Sequence, residues 1–136
     1  MHEVKIQPSE IGYSPKKIEE FTETAKKTLQ NGISAFTKYK NLILNISLLD
    51  VVNNIEKYKE LLSDMNGDHD AIHAIFDKLF DVVDKYDILD RPDSIRKLED
   101  LVNNIDNLTL DIYYLMNALE NIIEAGEDLN KQYFNK

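Results

Sequence analysis

Apolar residues recur at three- and four-residue intervals along nearly the whole chain, most regularly in its last third. From Pro92 to Phe134, Leu98, Ile105, Ile112 and Leu119 share one heptad line, and Leu101, Leu108, Leu115, Ile122 and Leu129 share the line three residues later. Val102, Met116 and Ile123 widen that seam. Such a sustained pattern is that of one long helix packed along its length against other helices. The spacing predicts this helix over about 93–132, capped by Asp93 or Ser94 and about 55–60 Å long.

The same period opens the chain. Ser14 before Pro15 is a helix start, with the serine capping free amides and the proline placed where its missing N–H costs nothing. Ile18, Ala25, Gly32, Tyr39 and Ile46 then form one line and Phe21, Thr28, Ala35 and Leu42 the next. The phase survives Asn31-Gly32, so one helix is expected over about 14–45, weakened locally by the glycine. After Ile46 the phase jumps to Leu48, Val51, Val52, Ile55, Tyr58, Leu62 and Met65, and Ser47-Leu48-Leu49-Asp50 has the form of a capping box. A second, shorter helix is expected over about 47–64. Met65-Asn66-Gly67-Asp68 is turn chemistry, and the amphipathic run from Ile72 to Tyr86 predicts a third helix over about 69–87. Met1 to Tyr13 has no helical period, and an extended arm over 1–13 is expected. The fold class is therefore all-α, a single domain over 1–136. It is a four-helix, mostly antiparallel bundle with two long and two short members.

Charge changes the picture of what such a bundle can meet. Sixteen basic and twenty-five acidic residues give a formal charge of −9, so no nucleic-acid binding is expected, since that requires a cationic face. Residues 1–45 balance at +2 and residues 46–136 at −11. The densest part, Asp64 to Asp93, holds nine aspartates against Lys78, Lys85 and Arg91, and no glutamate. Aspartate is the poorer helix former, so helix stability alone does not favour that choice. A solvated face with turn and cap residues is the favoured account of it. A docking surface for a basic partner, with Asp77, Asp81 and Asp84 as its residues, is the sharper expectation.

The absence of cysteine excludes disulfides and thiolate chemistry. Met1 to Ser14 contains no apolar core flanked by positive charge, so no signal peptide or membrane span is expected. A cytoplasmic protein, or one exported without a cleaved signal, fits. Arginine occurs only at Arg91 and Arg96 amid abundant Lys and Asn, a bias expected of an AT-rich bacterial or phage genome.

Three groupings carry candidate chemistry. His69 and His73 stand one helical turn apart with Asp77 four residues further on, the spacing of a Zn²⁺ or Ni²⁺ pair with a third ligand. The zinc-protease signature fails because Asp70 follows the first histidine, and no metal cofactor is expected. Asp64, Asn66, Asp68 and Asp70 are spaced like the first ligands of a calcium loop. The glycine, however, stands at the fourth place and Ile75 at the twelfth, where a bidentate glutamate is needed. Leu110, Tyr113 and Tyr114 form a second stripe off the main seam of the last helix. Burial by neighbours on two sides is the favoured account of that stripe, and contact with another chain, including self-association, is the alternative.

No glycine-rich phosphate loop, nucleophile–base pair or Glu-x-x-His motif occurs, so a non-enzyme without cofactor is expected. The leading expectation is a neutralising partner of a basic protein: an immunity protein, antitoxin or inhibitor. A small secreted or structural helical partner that pairs through its long helices is the alternative, although the Trp-x-Gly turn of small exported helical hairpins is missing. A His-x3-His metal-responsive module comes third.

Overall fold

A computed structural model describes residues 12–134, and the extended arm expected at 1–13 falls almost wholly outside them. Four α-helices follow one another: α1, Pro15–Leu44; α2, Leu48–Asn53; α3, Ile55–Asp84; and α4, Asp93–Leu129, which runs on into a π-helical turn, Asn130–Phe134. The expected all-α bundle is the observed one, but its middle is divided differently. Three helices are long, at 30, 30 and 37 residues, and one is a single short piece of 6.

The difference lies at Met65-Asn66-Gly67-Asp68, where the sequence predicts a turn and α3 continues unbroken. Tyr58, Met65, Ile72 and Leu79, with Tyr86 just beyond the helix, form one heptad line through this point, all buried. Burying a large side chain contributes about 1.5–3 kcal/mol, whereas glycine in a helix costs about 1 kcal/mol. The core seam therefore overrides the turn residues. The chain breaks instead at Asn54, whose backbone (φ −137°, ψ 44°) is not helical. Its side-chain amide donates to the Asp50 carbonyl (3.1 Å) and the Asp50 carboxylate (3.0 Å). Ser47 caps α2 by accepting from the Asp50 N–H at 3.4 Å, one half of the expected box. Ser14 caps α1 as the sequence predicts, accepting from the Lys17 N–H at 3.1 Å.

Helix α4 is the axle. Ile18 and Ala25 of α1 share a core with Leu79, Val82 and Val83 of α3 and with Ile95, Leu98 and Val102 of α4. Tyr39 shares the other core with Tyr58, Met65, Leu119 and Ile123. The start of α1 thus lies at the end of α3 and the start of α4. Helices α1 and α4 run parallel, and α3 runs antiparallel to both. Gly32, mid-way along α1, is where the approach is closest. A Cβ there would stand 2.4 Å from Leu108 Cδ2 and 3.2 Å from Ile72 Cδ1. The short α2 closes one end: Val51 packs where a Gly126 side chain would be, and the Asn130 amide donates to the Val52 carbonyl at 3.1 Å.

Tyrosine hydroxyls tie the elements at the core's rim. The Tyr39 hydroxyl donates to Asp68 across α1 and α3, and burial, with that bond second, pushes its pKa well above the usual tyrosine value. The Tyr58 hydroxyl donates to Asp50, which, ahead of burial, leaves its pKa pushed up to about 12. At the opposite end the Tyr86 hydroxyl accepts from the Tyr13 N–H at 3.1 Å, and Lys85 donates to the Tyr13 hydroxyl at 2.6 Å. Arg91 pairs with Glu99 and donates to the Tyr86 carbonyl at 3.3 Å, which fixes the α3–α4 connection. Buried Thr28 and Thr109 satisfy their hydroxyls on carbonyls of their own helices. Among the described residues no helix is long and apolar enough to cross a membrane.

Candidate functional site

Two of the groupings singled out in the sequence meet on one face. His69 and His73 of α3 stack with centroids 6.1 Å apart, and Tyr113 of α4 lies 6.4 Å from His69. Tyr114 continues the ladder beyond Tyr113 at 6.1 Å. In the other direction Phe76 stands 5.7 Å from His73, and Phe80 stands 5.8 Å from Phe76. Offset and tilted rings at these distances attract one another, so the ladder is held in place before anything docks on it.

Helix geometry explains the placement. At about 100° per residue, His69, His73, Phe76 and Phe80 occupy a sector of roughly 60° on α3, beside the core line. Asp70, Asp77, Asp81 and Asp84 occupy the next sector of about the same width, further from the core. The ring strip therefore lies between the core and an acidic row. Asp70, Asp77 and Asp81 are exposed and Asp84 is half-buried. On α4, Tyr113 sits on the edge turned to α3, with Leu110 and Tyr114 further out.

The favoured expectation for the tyrosine stripe, burial by neighbouring helices on two sides, is not what the structure has. Leu110, Tyr113 and Tyr114 are 46, 48 and 64% exposed. Helix α4 buries Ile105, Leu108, Ile112 and Leu119 against its neighbours, which leaves no third helix for the outer stripe. Phe80, within the amphipathic run from Ile72 to Tyr86, is 46% exposed and belongs to this surface and not to the core. The signal was present in the sequence. The apolar positions of α3 from Ile72 to Tyr86 span an arc wider than the roughly 100° that one buried stripe occupies.

The histidine pair does not gather a metal site. His73 Nδ1 lies 3.4 Å from Asp77 and His69 Nδ1 lies 3.3 Å from Asp70, each imidazole on its own carboxylate. Among the described residues no group of three or more metal-ligating side chains converges. The calcium-like run Asp64 to Asp70 is helical, and Asp68 is engaged by Tyr39, so these residues splay around α3 rather than closing on a point. A surface groove of about 720 Å³ lies elsewhere, between α1 and α3 near Lys38, Ile46, Tyr58 and Asp64. It is open and mixed in charge, with no convergent polar constellation.

Compared with known proteins, the chain matches no protein-family model, no curated sequence and no solved structure.

Proposed function

We propose that the chain is a non-enzymatic protein-binding module that docks a basic surface of another protein on its α3–α4 face. The observation that carries this is the adjacency of an exposed ring ladder and an acidic row along one groove. Exposed aromatics with large contact area are the residues that dominate binding energy when desolvated. Carboxylates along their margin speed encounter with a cationic partner and reject an anionic one. A neutralising role toward a basic protein, as an immunity protein, antitoxin or inhibitor has, is the use that fits this chemistry best.

The test is affinity capture with the full chain, set against the Asp77→Asn, Asp81→Asn, Asp84→Asn chain. The expected partner has a basic surface, is released as salt is raised through the range where the Debye length falls to about 3 Å, and is lost with the triple variant. A partner held equally by both chains and indifferent to salt would overturn the assignment.

A further inference from the structure

The outer flank of the same groove carries a second peculiarity. Helix α4 has nine acidic and two basic residues, yet a sector of about 80° on its outward side, bordered by Asp106 and Asp111, has none between positions 103 and 121. Asn103, Asn107, Leu110, Tyr114, Asn117 and Asn121 line it, and all but the half-buried Asn117 are exposed. At 1.5 Å per residue this uncharged strip runs about 27 Å. Over that length the acidic residues of α4 stand outside the sector and not within it. Amides and apolar groups are cheaper to desolvate than carboxylates, and depletion of charge is what marks the covered part of an interface.

The spacing of the rings says what shape covers it. His69, His73, Phe76 and Phe80 follow one another at intervals of four, three and four, the spacing by which one helix seats another. Leu110, Tyr113 and Asn117 on α4 repeat it at three and four. Helices α3 and α4 thus each present a second seam outward, parallel to the seam they bury. From Phe80 to His69 the ladder rises about 16 Å, three turns of helix.

Resting on the binding role proposed above, we infer that the occupant is an amphipathic helix of the partner, laid along the α3–α4 groove as an additional helix of the bundle. Its apolar stripe sits on the rings. The flank over α3 meets Asp77 and Asp81 and is lysine- or arginine-rich, and the flank over α4 meets the asparagine strip and carries no charge. A second copy of this chain docked by the same face does not fit, because its own α3–α4 face would set acidic row against acidic row.

Three designed peptides of 21 residues test this with the full chain, by fluorescence anisotropy and by NMR shifts of the chain's amides. The first has leucine at seam positions and lysine on one flank. The second has the same residues scrambled so that no seam forms. The third has glutamate in place of lysine. The first is expected to bind, the scrambled peptide to bind at least about tenfold more weakly, and the acidic one not at all. Leu110→Lys and Phe80→Ser, both at exposed positions and checked for helicity by circular dichroism, should each weaken the first peptide by about tenfold or more. Equal binding of the scrambled peptide would leave the basic-partner reading standing and overturn the helical one. Binding that neither substitution weakens would place the helix elsewhere and overturn it too. If neither cationic peptide binds, the role of this face as a docking surface for a basic partner falls with it.

Discussion

Alanine at Gly32 and alanine at Gly67 are the same substitution in two helices of equal length, yet they should move stability in opposite directions. Replacing glycine by alanine inside a helix contributes about 1 kcal/mol of stability. At Gly67 nothing lies within 4 Å of the new methyl group, so that gain should appear in full. It corresponds to a rise in Tm of about 3–5 °C for a domain of this size. At Gly32 the methyl would stand 2.4 Å from Leu108 Cδ2, where carbon pairs prefer about 3.5–4.0 Å. Leu108 must turn, or α1 must lift from α4, and overpacking of this kind costs about 1–3 kcal/mol. The net at Gly32 is then between about zero and 2 kcal/mol of destabilisation, and the two sites should differ by about 1–3 kcal/mol. Urea unfolding followed by circular dichroism at 222 nm measures both, with an unchanged m-value confirming two comparable transitions. A coupling test sharpens it. Leu108→Ala should cost less in the Gly32→Ala chain than in the parent chain, by about 0.5 kcal/mol or more. If Gly32→Ala stabilises as much as Gly67→Ala, or if the cycle shows no coupling, α1 does not press on Leu108 and the account of the close approach is wrong.

Tyr113→Ala with Tyr114→Ala should leave unfolding within about 1 kcal/mol of the parent, since both rings are surface residues, while abolishing capture of a partner. A loss several times larger would put the rings back in the core. Tyr58 binds its proton more tightly folded than unfolded, so the stability it contributes is complete below about pH 10 and is lost as pH rises through about 12. Tyr58→Phe should flatten the fall of the urea midpoint over that window, and an unchanged slope would exclude the Asp50 bond as its cause. Glu99→Ala strands the nearly buried Arg91 guanidinium, whose side chain is 9% exposed, and should cost about 1–3 kcal/mol, read from the same melts. Zn²⁺ at neutral pH should not raise Tm, nor EDTA lower it, because among the described residues no three ligating side chains converge around His69 and His73. A shift abolished by His73→Ala would restore the metal site.

The long seam of α4 was legible because its apolar residues lie on heptad lines that no breaker interrupts. Helix α1 was legible because Ile18, Ala25, Gly32 and Tyr39 keep phase across the glycine and Ser14-Pro15 marks the start. The middle of the chain was legible in kind but not in its joints. Asn66-Gly67-Asp68 has the composition of a turn, and only the line Tyr58–Met65–Ile72–Leu79, which crosses it, shows that burial decides the matter. Asn54 was harder to find, because its role depends on Asp50 being near enough to accept from its amide. The candidate site was half legible. Spacing isolated His69 with His73 and Leu110 with Tyr113 and Tyr114, but assigned them to separate purposes. That they share one groove depends on the antiparallel register of α3 on α4, which periodicity within each helix does not contain.

A bundle of three long helices has three outer grooves, and their chemistry here is not equivalent. Along α1 and α4 the start of the groove alternates signs, with Glu19, Glu23, Lys26 and Lys97 around Ile18, the composition of a face that meets water. Along α1 and α3 the tyrosine at position 39 is already engaged by Asp68, so its ring and hydroxyl are used in holding the two helices together. Along α3 and α4 Phe76 packs against the core, but Phe80, Tyr113 and Tyr114 belong to no such internal task. The core on either side of them is complete, and no buried side-chain polar atom among the described residues lacks a partner. Stability therefore gives no reason for Phe80, Tyr113 and Tyr114 to be large and apolar at the surface, and the cost of exposing them falls on solubility. The acidic row beside them offsets that cost, since net charge keeps the free protein dispersed. The same row then discriminates between partners by sign. One arrangement of side chains thus serves the unbound state through charge and the bound state through rings, and it does so in the single groove where both lie within reach of the same incoming helix.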